Sequence, residues 1–350
     1  MKILLIIYNP TSGPGYGYRK PHEVFDFFPS IDSQIANYIA DMTKAGHGRF
    51  TMEVVERIEV DDLPPLVPAS CRNSAGIEMV REHRWVDRDL FFDNIGVLYF
   101  GDRGEYFDMF NNGRADYPAM INDPRFGIVN KIDSGAANLV CILYPPGCGL
   151  WETAMAGPGA YWVNGSPIEG IASRRRFVVM GHGYNRSVEC WLEVTAHMTE
   201  NIMSRTARNW PRDRRARNRD GVTVALHDWD YFTLTEWQNY DDRLVAPGHA
   251  QVGTGHYPPN APRGSDYAFA FTDLAESAAA NWYQYPDLSG AKQRVNRETW
   301  NTFNGDYHRG FLCWWFDHIP ANPGSHDGIL NNWWPYIWDV NRDPDAREAR

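Results

Sequence analysis

Short apolar runs alternate with stretches of helical spacing through roughly the first two hundred residues. Residues 2–8 hold the aliphatic run Ile3 to Ile7 followed by Tyr8, which predicts a buried strand. Over 31–44, Ile31, Ile35, Tyr38, Ile39 and Met42 fall on one helical face, and 51–59 returns to strand spacing. Further strands are predicted at Ile95 to Phe100, Asn138 to Tyr144 and Phe177 to Gly181, the last leading into a helix from about Arg186 to Arg205. Strands alternating with helices predict an α/β chain, a largely parallel sheet with helices on both faces.

From about residue 206 the pattern breaks up into Pro, Asn, Asp, Gly and Trp with few periodic runs. That half is expected as long loops and short strands, an aromatic-rich extension packed on the sheet. The expected organisation is one large domain over 1–350, with 1–205 the α/β core and 206–350 the extension. No internal repeat appears, which sets solenoids and propellers aside.

A hydrophobic fraction of 43% over 350 residues is ample for a core without staples. The formal charge of -10 argues against a nucleic-acid partner, which needs a dominant positive field. Seven arginines between Arg205 and Arg219 form a local exception, read as a solvated loop or as a docking surface for an anionic partner. The five cysteines are odd in number and show no CxxC pair; Cys141 and Cys190 read as buried small hydrophobes. The run after Met1 is too short for a signal-peptide core, and no stretch is long enough for membrane insertion. A soluble chain is expected, cytoplasmic by default. Aromatics are the outlier, with 14 Trp, 18 Tyr and 17 Phe. They serve either as core or as platforms for sugar rings.

In open parallel sheets, ligands bind beyond the carboxyl ends of the strands. After Tyr144 comes Pro145-Pro146-Gly147-Cys148-Gly149-Leu150-Trp151-Glu152, and after Gly181 comes His182-Gly183-Tyr184-Asn185-Arg186. If those strands are neighbours, Glu152, His182, Asn185 and Arg186 converge. Cys148 between two glycines raises a nucleophile reading, with a structural turn the simpler one. The glycines after Tyr8 lack a P-loop lysine, so nucleotide binding is a minor option.

The long helix aligns Arg186, Glu189, Glu193, His197, Glu200 and Ser204 in one stripe opposite Val188, Trp191, Leu192, Thr195, Met198 and Ile202. The stripe reads either as a water-facing surface or as a site. An i, i+4 pair of Glu193 and His197 is a spacing by which helices hold zinc, although the motif is not HExxH. His256, in Gly255-His256-Tyr257-Pro258-Pro259-Asn260, is the candidate third ligand.

The run from Trp151 to Trp162 and the run from Met180 to Met203 resemble the two hallmark segments, roughly WESxMAGPGAFWCN and MGFNxERGVxExLxxFGHRxESIM, of an uncharacterised family of bacterial proteins, many from actinomycetes and often secreted. The resemblance extends through Gly255 to Asn260, Ser265-Asp266-Tyr267 and Leu330 to Trp334. It implies an extracellular setting and draws attention to Glu152, Asn185, Arg186, Glu193, His197, Glu200, His256 and Asp266. The chain departs from the pattern at Ala196, Met198 and Ala268, in place of Gly, Arg and Asp.

Three functions follow as expectations. The first is a zinc-assisted hydrolase of an extended polymer such as a cell-wall glycan or peptide. His197, Glu193 or alternatively Glu200, and His256 hold the metal, Glu152 and Glu200 are catalytic, and Asn185, Arg186, Trp151, Trp162 and Asp266 bind substrate. The second is a metal-independent glycosidase using the carboxylates Glu152 and Glu200. The third is a glycan-binding or structural protein without turnover.

Overall fold

A computed structural model describes residues 1–67, 80–82, 84–85, 87–100, 115–210, 225–237, 245, 247–262 and 265–342. The arginines expected at 211–219, and Cys71, lie outside the described residues. The chain divides into two compact units, Met1–Ile35 with Glu53–Ser187, and Ala36–Met52 with Val188–Arg350.

The first unit is built on a five-stranded sheet of β1 (Lys2–Tyr8), β2 (Glu53–Val60), β3 (Leu139–Tyr144), β4 (Thr153–Ala156) and β5 (Phe177–Gly183), in the order β2-β1-β3-β5-β4. All neighbours run parallel except β4, which pairs antiparallel with β5 (Ala154 opposite Val179). The aliphatic runs of β1 and β3 fill the buried central positions. β2 carries Glu53, Glu56, Arg57 and Glu59 and lies at the edge, where charge discourages pairing with another chain. On one side of the sheet Leu4, Ile6, Tyr8, Val140, Ile142 and Val179 pack with Tyr117 and Met120 of a short helix at Tyr117–Ile121 and with Ile128 and Ile132 of another at Ile128–Asp133.

The predicted helix at 31–44 is α1 (Ile31–Ala45), with Ile31, Tyr38 and Met42 buried. The strand expected at Ile95 to Phe100 is instead the end of a helix, α2 (Arg88–Phe100). The reason lies upstream: Asp87 Oδ1 accepts the backbone N–H groups of Asp89 and Leu90, at 2.7 and 3.3 Å, starting a helix that runs through the apolar segment. A short apolar run fits either periodicity, and the cap decides.

The second unit holds α3 (Val188–Thr206) and α4 (Tyr307–Asp317), joined by long loops and short strands. Its aromatics form a core. Trp229, Trp282, Trp315 and Trp333 are each at most 2% exposed, and Trp333 meets Trp229, Phe232, Trp282 and Tyr285 within 6.1 Å. Several indoles also donate hydrogen bonds, Trp282 to Gln251 Oε1 at 3.0 Å and Trp315 to the Gly253 carbonyl at 2.9 Å. The remainder of α1 belongs here: the Tyr38 ring lies tilted against Trp191, centroids 5.1 Å apart, and its hydroxyl lies 2.8 Å from Thr195 Oγ1. No helix among the described residues is long and apolar enough to cross a membrane.

Candidate metal centre

α3 places Glu193, His197 and Glu200 on successive turns of one face. The stripe does not face water throughout, because Glu193 is only 3% exposed. A buried carboxylate is costly unless paired, and this one is surrounded by donors. His256 Nε2 lies 3.1 Å and His197 Nε2 3.7 Å from Glu193 Oε1, and the Tyr267 hydroxyl donates to the same oxygen. His308 Nε2 lies 3.6 Å from Oε2. Burial by itself pushes the Glu193 carboxyl upward, but the hydrogen bonds from His197, His256 and Tyr267 and the field of His308 outweigh it. The group is held well below the usual carboxylate range. Burial is also the main reason that the His308 ring is less basic than usual.

The loop that brings His256 to the helix depends on its glycines. Gly253 sits at φ +87°, and a Cβ there would fall 2.3 Å from the Tyr257 carbonyl oxygen. A Cβ on Gly255 would fall 2.9 Å from Ala196 Cβ, so only glycine lets this loop lie against α3. Once there, Gly255 N–H donates to Glu200 Oε1 at 2.8 Å. Thr254 and Tyr257 close the turn through reciprocal backbone bonds of 2.9 and 3.2 Å.

Each imidazole is also supported from behind. His256 Nδ1 is 3.0 Å from Asp266 Oδ1, and His197 Nδ1 is 3.4 Å from Glu200 Oε2. Both rings therefore turn Nε2 toward Glu193, with centroids 4.4 Å apart. Carboxylates that fix the outer nitrogen and aim the inner one are the usual second layer of a metal site. One ligand atom from each of Glu193, His197 and His256 lies within 4.8 Å of the others, and this trio can hold a metal ion. The expected ligands thus come together. Asp266, expected to bind substrate, contacts His256.

The remaining expected residues belong to the first unit. β3 and β5 are parallel neighbours, so the segments following them meet. Glu152 Oε2 accepts from Asn164 Nδ2 at 2.7 Å, and Oε1 is 3.5 Å from Arg186 Nη1. Gly183 packs against Asn185. His182 is buried in β5 and held neutral, first by that burial and then by the nearby Arg186. Trp151 and Trp162 are exposed by 43% and 51%, with ring centroids 6.2 Å apart. Cys148 is fully buried, and that burial pushes its thiol far above the ordinary range, so the structural-turn reading prevails over a nucleophile.

Tyr267 and His308 were not singled out from the sequence. Tyr267 lies in a quoted motif, next to Asp266, and adopts φ +55°, unusual for a residue with a side chain. His308 lies outside every quoted motif, and only the packing of α4 reveals it. No family model, no curated protein and no solved structure matches the chain, so the site is read from its own residues.

Proposed function

We propose that the protein is a metal-assisted hydrolase whose ion is held by Glu193, His197 and His256, with zinc the ion that two imidazoles and a carboxylate suit. One observation carries this reading. Two histidines from different segments aim Nε2 at one buried carboxylate, and each is braced at Nδ1 by a further carboxylate. A bound ion lowers the pKa of its water and polarises a scissile bond. Glu193 supplies the negative charge that draws the cation in. Glu200 and Asp266 orient the imidazoles, and Glu200 also ties down the His256 loop.

The substrate class is an extended polymer, a cell-wall glycan or peptide. The exposed pair Trp151 and Trp162 offers apolar faces of the kind that stack on sugar rings. In this proposal Arg186 and Asn185, of the same unit as the Trp pair, position the substrate. The test is elemental analysis of the purified chain, followed by assay of glycan and peptide polymers with and without chelator. Near-stoichiometric metal, lost in His197→Ala together with hydrolysis, is the expected result. A His197→Ala variant retaining both metal and activity would sink the assignment.

The same Trp pair beside Glu152 favours a second reading, a carboxylate glycosidase without metal or a glycan binder without turnover. Glycan cleavage that survives chelation but not Glu152→Gln would select the glycosidase. Glycan binding with no product would select the binder.

A further inference from the structure

Tyr267 reaches from solvent to the buried carboxylate. The residue is 48% exposed, against 3% for Glu193, yet its hydroxyl donates to Glu193 Oε1, the oxygen that both ligand imidazoles face. Its ring lies beside His256, centroids 4.3 Å apart and tilted by 39°, and meets Phe269 edge-on at 5.7 Å. Asp266 Oδ1 accepts the Tyr267 N–H at 3.1 Å and also stands 3.0 Å from His256 Nδ1. One turn therefore puts a carboxylate on the outer nitrogen of His256 and a phenol on the side that its inner nitrogen faces.

Three protein donors leave a tetrahedral ion one open position, filled from solvent. An ion on Oε1 lies about 2.0–2.2 Å from that oxygen, and a hydroxyl bonded to the same oxygen then stands roughly 4 Å from the ion. That is close enough to donate to a ligand entering the open position. Oε1 offers about two lone-pair sites and is approached by three groups, the phenol and two imidazoles. An ion takes the imidazole lone pairs and draws charge out of Oε1. The oxygen then accepts the phenol less well than an anionic oxygen bound to the ion does.

We propose that Tyr267 is the ligand-binding donor of the centre: once the ion is bound, its hydroxyl passes from Glu193 to an anionic oxygen in the open position. This rests on the metal reading of Glu193, His197 and His256 above. The phenol keeps its proton and changes acceptor, so no covalent bond is made or broken. The same donor meets the oxygen on which negative charge develops when a carbonyl is attacked. It therefore favours an amide or ester carbonyl over a glycosidic bond, whose transition state is cationic.

The test uses the full-length chain, native and Tyr267→Phe, loaded with Co(II) alone and then titrated with acetohydroxamate. The visible Co(II) spectrum reports the ligand, and chelator competition reports the ion. The variant is expected to hold Co(II) at least as tightly as the native chain and acetohydroxamate about ten- to a hundredfold more weakly. In the native chain, Co(II) and acetohydroxamate together should shift one tyrosine in the near-ultraviolet difference spectrum, and that shift should be missing from the variant. Circular dichroism checks folding. Equal acetohydroxamate affinity in the loaded, folded variant, whatever its ion affinity, or no tyrosine shift in the native chain, removes this role and leaves the proposed function standing. A native chain that takes up neither Co(II) nor Zn(II) overturns both.

Discussion

Glu193 determines the chemistry of the cluster because it is a carboxylate that burial should make expensive, kept ionised by the groups around it. Its Oε1 receives the Tyr267 hydroxyl and faces two imidazoles, so a cation there must compete with the phenol for the same lone pairs. Tyr267→Phe is therefore expected to tighten metal binding, read by chelator competition. Weaker binding would show that the phenol orients the carboxylate instead. Asp266 acts at one remove. Replacing it by Asn leaves His256 in place but weakens the acceptor behind Nδ1, and about a ten- to hundredfold loss of metal affinity is expected, with the fold intact by circular dichroism.

At the scale of elements, α3 carries two tasks on one cylinder. Trp191, Leu192, Met198 and Ile202 are all buried, and the opposite side presents Glu193, His197 and Glu200 to the His256 loop. Trp191 is 1% exposed and packs against Tyr38, so Trp191→Ala should cost about 3–5 kcal/mol in urea unfolding. A loss below about 1 kcal/mol would mean that this packing contributes little. The sequence showed α3 and its two faces plainly, since nineteen residues of steady 3.6 periodicity leave no rival pattern. It did not separate a wet stripe from a dry one, because periodicity says which residues share a face and nothing of what covers that face. The misread segment at Ile95 to Phe100 shows the complementary weakness. Its apolar residues satisfied a strand, and the deciding signal, Asp87 as a cap, lay eight residues upstream.

For the whole molecule, protons and metal should both register in stability. His318 is buried, and burial lowers its pKa to about 4 from an ordinary 6.5, although Nδ1 keeps a 2.7 Å bond to the Trp314 carbonyl oxygen. The unfolded chain takes up that proton near pH 6.5 while the folded chain does not until about pH 4. His318 therefore costs nothing above that window, and its penalty grows as pH falls through it. Between pH 7 and 5 the loss should be about 2 kcal/mol in excess of that in His318→Gln, measured by urea midpoints. Equal losses in both proteins would contradict it. A metal ion held by the proposed centre would act in the opposite sense. An ion that binds only the folded cluster raises Tm with its free concentration, and chelator or His256→Ala should abolish the rise.

The sequence by itself determined the alternation that builds the sheet, the buried runs of β1 and β3, the length and facing of α3, and the residue types able to ligate. These are local properties, fixed by the spacing of apolar side chains and by the chemistry of each group. Glu193 and His197 were legible as a pair because one helix turn sets their distance. His256 was legible only as a candidate, since a loop between Gly253 and Asn260 carries no distance to a helix that ends at Thr206. Tertiary structure brought that loop onto α3, dried the environment of Glu193, turned the Trp333–Trp334 doublet into core, and placed His308 of α4 against the same carboxylate. The physical reason is that burial and donor convergence arise from contacts between distant segments. No period or motif within one segment encodes them.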